Sequence, residues 1–227
     1  MCGRFSLHEQ LSMIEDLYEA QAEADVKEPD SFNIAPSQRV PIIRNDDHGR
    51  VIELMKWGLV PIWAKDPKVG FKMINARDDT IKSKPTYRSA FKNRCIVPAS
   101  GFYEWKGEKG SKQPYFIFPS EGIFSFAGMW ESWTPKDDSG AEPLHTFTIV
   151  TTSANRFMSD LHSRMPVILA GDDIDIWMDN KSEKEELYDL MKPFDGEMKA
   201  YPVSTAVNNV RNQGKELIQP LPGGDKE

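Results

Sequence analysis

The sequence predicts an α+β fold, a single domain with a mixed, partly barrel-like β-sheet core flanked by helices. Three observations lead there. Short apolar and β-branched runs crowd the middle of the chain, helical periodicity is confined to the two ends, and strands and helices lack the regular alternation of a parallel βαβ fold.

Each element has its own signal. Across residues 9–25, Leu11, Ile14 and Tyr18 recur at helical spacing among Glu15, Asp16, Glu19 and Glu23, which predicts an acidic amphipathic helix lying on the core by that stripe. Phe32 to Pro36 reads as a proline-bounded loop, and residues 40–44 and 51–57 as strands joined by a turn at Asp46 to Gly49. Further strands are expected at 94–97, 101–105, 115–118, 123–129 and 146–151. Helices return at 154–161, 172–178 and 182–191, the last opened by a capping box of Ser182 and Glu185 and stopped by Pro193. Two prolines and two glycines after Leu217 predict a mobile end; the domain is taken as 1–220 and the tail as 221–227.

Composition narrows the function. No apolar run approaches the roughly 18 residues of a membrane span, and the start lacks a signal-peptide pattern, so a cytoplasmic protein with no membrane partner is expected. The two cysteines, Cys2 and Cys95, form no CxxC and no Cys/His cluster, so no metal is expected; GxGxxG and P-loop motifs are missing, and no cofactor is expected either. The net charge of −7 hides a division: between Lys56 and Lys112 there are 13 Lys+Arg against 5 Asp+Glu, and in the remainder 15 against 30. A cationic groove on an acidic protein can engage phosphates, although a solvated lysine-rich face gives the same count.

The chemistry begins at Cys2. Met1 ahead of a small residue is commonly removed, which would leave Cys2 with a free α-amine beside its thiol. Such an aminothiol condenses with aldehydes: the amine forms a Schiff base, the sulfur closes on the same carbon, and a thiazolidine results. Ordinary pKa values of about 7.7–8.0 for the amine and about 8.5 for the thiol leave both partly nucleophilic near neutrality. Cys2 is equally readable as a small buried hydrophobe near a chain end. Three other segments carry groups that could assist: Asn75 two residues before Arg77, Glu104 among the aromatics of GFYEWK, and His162 between a predicted helix and a strand. Singly, they also read as a turn amide, a lysine partner and a helix-end histidine.

MCGRF at the start, FNIAPSQ at 32–38, MINAR at 73–77, GFYEWK at 101–106, LHSRMP at 161–166 and NQGKELIQP at 212–220 together resemble the SOS response-associated peptidase family, whose members shield abasic sites in single-stranded DNA. The resemblance spans nearly the whole chain. It implies that Cys2 is the nucleophile exposed by loss of Met1, that Asn75 orients the terminus and the opened sugar, that Glu104 shuttles protons, and that His162 promotes deoxyribose opening and stabilises the adduct. It further implies phosphate contacts at Arg4 and Arg77, an aligned cation at Lys84, and DNA contacts at Trp63 and Pro36. Some relatives carry two adjacent tryptophans where this chain has Trp63 followed by Ala64. The implied partner is single-stranded DNA containing abasic sites, engaged by a monomer.

The residues agree with that expectation. An abasic deoxyribose is a masked aldehyde, so acid and base assistance to ring opening matters as much as nucleophile strength. With no base to read, recognition falls to phosphates and to stacking on aromatics such as Trp57, Trp63, Phe71, Tyr87 and Trp105. Two other readings remain open: a peptidase or amidohydrolase using Cys2 as its terminal nucleophile, with self-removal of Met1, and a non-covalent single-strand binder. A weak lyase activity is also expected, since an imine at C1′ acidifies the C2′ proton and Glu104 or His162 could remove it.

Overall fold

The computed structural model describes residues 2–108, 110–138 and 140–223. The chain opens with β1 (Phe5–Leu7), α1 (Leu11–Tyr18), β2 (Ala20–Ala22) and β3 (Ser31–Ile34), followed by a long hairpin of β4 (Arg39–Asn45) and β5 (Arg50–Trp57). A 3-10 turn at Pro67–Lys72 feeds the short β6 (Asn75–Arg77), then α2 (Asp78–Ile81) and α3 (Pro85–Ala90). Strands β7 (Arg94–Ala99), β8 (Gly101–Lys106), β9 (Gln113–Pro119), β10 (Phe124–Trp133) and β11 (Leu144–Ser153) form the centre. The chain continues through α4 (Arg156–Ser159), β12 (Arg164–Pro166), β13 (Ile168–Leu169), α5 (Asp172–Met178), α6 (Lys184–Asp189) and β14 (Met198–Pro202). It ends in 3-10 turns at Thr205–Asn208 and Lys215–Ile218.

Five strands close on themselves: β11 pairs β10, β10 pairs β7, β7 pairs β4, β4 pairs β5, and β5 returns to β11 in parallel through Thr146↔Lys56 and Phe147↔Trp57. Closure removes the exposed sheet edges that an open β-rich chain would have to protect. A second sheet, in the order β14-β9-β8-β1-β3, covers the barrel. Phe5 of β1 joins the two: it is fully buried, with its ring edge-on to Trp57 at 5.1 Å and to Phe126 at 6.4 Å. The expected α+β class with a barrel-like sheet is what the chain adopts.

Several local expectations are corrected. The first helix stops at Tyr18, because Glu19 takes a left-handed conformation (φ 49°) and residues 20–22 pair in parallel with β5 instead of continuing the helix. The helix expected over 154–161 is a single turn capped by Asn155, whose side chain accepts from Met158 N at 2.8 Å. The capping box of Ser182 and Glu185 does not form; Ser182 Oγ donates to Ile176 O at 2.7 Å, and α6 begins at Lys184 after an N-cap, Glu183, without a side-chain bond. Order also runs further toward the end than Leu217. Leu217 is fully buried with Tyr103, Phe116, Tyr201, Val203 and Val207, and Leu221 N donates to Pro202 O at 2.9 Å. Of the tail expected over 221–227, residues 224–227 lie outside the described residues.

One side chain ties this C-terminal segment to the start of the chain. Asn33, on β3 and 0% exposed, donates from Nδ2 toward Val207 O (3.2 Å), Asn209 O (3.1 Å) and Asn212 O (2.9 Å) and accepts at Oδ1 from Arg4 (2.6 Å). An amide nitrogen has two hydrogens, so three carbonyls share them. Asn33→Ala would strip donors from these carbonyls and an acceptor from the guanidinium, at a cost of about 2–4 kcal/mol in urea unfolding. A loss below about 0.5 kcal/mol would show that water replaces the amide freely.

Candidate active site

β1 lies between β3 and β8, with Phe5↔Phe102 and Ser6↔Gly101 in register, so the amino-terminal segment is a central strand of its sheet. Tyr103 N donates to Arg4 O at 2.9 Å, and continuing that register sets Gly3 abreast of Glu104. This is how a strand late in the sequence carries a carboxylate to the chain's start. On the other side of β8, position 101 is a glycine beneath β9, where a Cβ would meet the Phe116 ring at 2.4 Å.

Cys2 is fully buried, and Glu104 is 4% exposed. Burial pushes the Cys2 thiol well above the usual cysteine range, and the negative charge of Glu104 pushes it further in the same direction. The thiol's hydrogen-bond partner is Arg4 O at 3.9 Å, a long contact even for sulfur. Asn75, at the start of β6, donates from Nδ2 to the Cys2 main-chain carbonyl at 2.8 Å, and its Oδ1 is buried with no partner among the described residues. Cys2, Asn75 and Glu104 are therefore brought together from three distant stretches of chain.

His162 sits between α4 and β12. Strand β12 pairs β11 through Ser153↔Arg164 and Thr151↔Pro166, and β6 pairs the same stretch of β11 through Ile149↔Asn75 and Thr151↔Arg77, so β12 and β6 flank β11 on its two edges. The Nδ1 of His162 lies between the main-chain N–H of Arg164 at 3.0 Å and the carbonyl oxygen of the same residue at 3.2 Å, so the ring is held by the Arg164 backbone. A cleft of ≈ 680 Å³ opens between Tyr115, the cross-strand neighbour of Glu104, and Leu161, which precedes His162; Phe157 and Phe194 also line it.

The expected DNA-contacting residues divide. Arg77 (49% exposed) is on the surface, forked onto Asp79 at 3.0 and 2.5 Å. Lys84 is the N-cap of α3, and Pro36 is half-buried in a turn that passes through Ser37 at φ 77°. Trp63 and Phe71 are 55% and 61% exposed on the loop that leads into β6, as stacking requires. Trp57 and Tyr87 are not available for stacking: both are buried, Trp57 donating to Ile74 O at 2.9 Å and Tyr87 to Asn75 O at 3.2 Å. Trp105 is half-buried, with its indole N–H on Asn208 Oδ1 at 2.7 Å and the Arg4 guanidinium 5.9 Å from its ring centroid.

Arg4 has a duty that sequence reading missed. Its NH1 donates to both Asn33 Oδ1 (2.6 Å) and Val207 O (2.8 Å), so half of the fork anchors the terminus and only the other half is left for a phosphate. Burial lowers its pKa from the ordinary arginine value. Asn33 itself was visible only as a letter in FNIAPSQ; nothing local signals that its partners lie at 207–212. Among the described residues, no group of three or more His, Cys, Asp and Glu could hold a metal ion, and no helix is long and apolar enough to cross a membrane.

In chemical terms the arrangement presents the main-chain carbonyl of Cys2 held by an amide, a buried thiol whose pKa is raised, and a carboxylate beside it. Comparison with known proteins places the whole chain. The chain is 42% identical over 224 residues to abasic site processing protein YoaM of Bacillus subtilis, covering 96% of this chain and 97% of the relative. It is 37% identical over 225 residues to abasic site processing protein HMCES of Gallus gallus, covering 84% of this chain and 66% of that one. A crystal structure of a Bacteroides thetaiotaomicron protein superposes with a TM-score of 0.86 at 28% identity, covering 97% of this chain and all of the other. The family model for SOS response associated peptidase (SRAP) matches residues 1–210, and the chain belongs to that family.

Proposed function

We propose that the chain, once Cys2 is its first residue, captures the ring-opened sugar of an abasic site in single-stranded DNA as a thiazolidine and so shields the lesion. The observation that carries this reading is the 2.8 Å bond from Asn75 to the Cys2 carbonyl, next to the buried Glu104 carboxylate. The relatives named abasic site processing proteins support it.

The steps balance with protein groups alone. His162, as proton donor, assists opening of the furanose hemiacetal to the C1′ aldehyde. The Cys2 amine adds to C1′, and the carbinolamine loses one water to give an imine. Sulfur then adds across the C=N bond: S–C1′ forms, the thiol proton passes to Glu104, and a proton returns to nitrogen. Because the thiol is held protonated, the amine reacts first and the sulfur closes second. Loss of Met1 is the one peptide cleavage this sequence needs, and the neighbouring Glu104 is suited to assist it. Closure by sulfur drains the imine that β-elimination would require, so lyase activity is slight.

Two outcomes are expected. Mature protein incubated with an abasic single-stranded oligonucleotide gains the oligonucleotide's mass less one water, giving a band stable to denaturation without borohydride, and Cys2→Ala gives none. An unchanged protein mass would end the proposal, and peptide turnover by the mature protein that Cys2→Ala abolishes would favour a peptidase. The second concerns the thiol. Its raised pKa leaves less thiolate at neutrality than in free cysteine, so iodoacetamide labels Cys2 at least about tenfold more slowly at pH 7 and faster as pH rises. Glu104→Gln removes the repelling charge and lowers that pKa, so it speeds alkylation while slowing capture; if both rates fell, Glu104 would not be acting on the thiol by its charge.

A further inference from the structure

We infer that Tyr87 is a positioning residue for the site, acting through Asn75; this rests on the proposed capture reaction. Tyr87 lies on α3, is 5% exposed, and sits outside the cluster of Cys2, Asn75, Glu104 and His162. Its hydroxyl donates to the main-chain carbonyl of Asn75 at 3.2 Å.

The reason that carbonyl needs a side-chain donor lies in strand geometry. β6 pairs with β11 in parallel, with Ile149 abreast of Asn75. In a parallel ladder the abreast residue bonds to the two flanking positions of its neighbour, and Ile149 N indeed donates to Ile74 O at 3.1 Å. The N–H and C=O of Asn75 therefore point away from β11, toward the free edge of β6, where no strand is paired with it. Left without a donor, this part-buried carbonyl would carry a desolvation cost that a peptide rotation or an invading water relieves. Tyr87 removes that incentive. The preceding carbonyl, Ile74 O, receives both Ile149 N and Trp57 Nε1 (2.9 Å), so residues 74 and 75 are held from the two sides of the strand.

The consequence reaches Cys2. The Asn75 side chain departs from the same residue whose peptide Tyr87 holds, and its Nδ2 is what meets Cys2 O at 2.8 Å. Hydroxyl, peptide, amide and terminal carbonyl form one chain of contacts, and its end sets where the Cys2 amine stands when an aldehyde arrives. Small rotations at Asn75 are leveraged by its side chain, and capture rates respond steeply to misplacement of the attacking atom. Tyr87 is also three residues beyond Lys84, the N-cap of the same helix, so α3 carries a surface cation and the brace on Asn75 together.

A double-mutant cycle tests this, with capture timed by denaturing gel and mass spectrometry on an abasic single-stranded oligonucleotide. Tyr87→Phe deletes one oxygen and keeps the packed ring. The expected result is capture slowed about five- to tenfold in the wild-type background and unchanged within about 1.5-fold in an Asn75→Ala background, because the hydroxyl acts only through that amide. Affinity for an oligonucleotide carrying a tetrahydrofuran abasic analogue, which cannot form an imine, stays within about twofold. Equal proportional slowing in both backgrounds would mean general loosening of the fold and overturn the inference, as would an unslowed Tyr87→Phe protein or a matching loss of analogue affinity. Should Asn75→Ala capture too slowly to time, the single variant's capture rate against its analogue affinity decides alone. If the wild-type protein captured nothing, the proposed function itself would fall and this inference with it.

Discussion

Burial of Phe5 is the constraint on which the site depends. A chain terminus is ordinarily the loosest part of a domain. Here the fifth residue fills the junction between barrel and covering sheet, and its strand is bonded on both edges. Removing such a ring from a core costs about 3–5 kcal/mol, so the anchor is strong relative to the marginal stability of a domain. With Phe5 fixed, Arg4 tied to Asn33 and Val207, and Cys2 O held by Asn75, the segment around Gly3 is held on both sides. The main chain at Cys2, the seat of the amine in the proposed reaction, is thus as well placed as a side chain on a rigid helix.

Electrostatics at the site favour a particular order of events. A thiol used as the first nucleophile is normally activated by lowering its pKa with a cation or a helix N-terminus. Cys2 has the opposite surroundings, enclosed and beside a carboxylate, which keeps the proton on sulfur. That arrangement is poor for initial attack by sulfur and suited to ring closure, where the proton must leave only as the S–C bond forms and a neighbouring base is ready to take it. A protonated thiol is also less open to stray oxidation and alkylation.

Much of this was legible in the sequence, and the remainder was not for definable reasons. Central strands, the Asp46–Gly49 turn and α5 follow from local periodicity and turn chemistry, and they fall where expected. Expectations failed wherever a distant partner decided the outcome. Residues 20–22 leave the helix because an edge of β5 is available, and Ser182 abandons its capping box for a carbonyl of the preceding helix. The letters of the site were readable in scattered motifs, yet their duties were sorted by burial. Aromatic residues of the basic stretch looked interchangeable as stacking platforms, but Trp57 and Tyr87 brace the backbone at 74 and 75 while Trp63 and Phe71 stay outside. Asn33 and Arg4, linked across more than 170 residues to the C-terminal segment, had no local signature at all.

The cations near the site bear on how a lesion would be chosen. Arg4 spends one arm of its guanidinium on the fold, and Arg77 is forked onto Asp79, so neither offers a phosphate its full set of donors without breaking a contact. An exposed pair such as Arg77–Asp79 is worth little in water and yields readily, but each exchange subtracts from what a phosphate would otherwise contribute. An acidic protein with partly committed arginines is expected to hold intact single strands only loosely. In the proposed reaction that looseness is useful: undamaged DNA, which has no aldehyde, is released, whereas an abasic sugar is retained by covalent bonds whatever the strength of the encounter. Selectivity then resides in the chemistry of ring closure, and the binding surface needs only to bring C1′ within reach of the terminus that Phe5 and Asn75 hold in place.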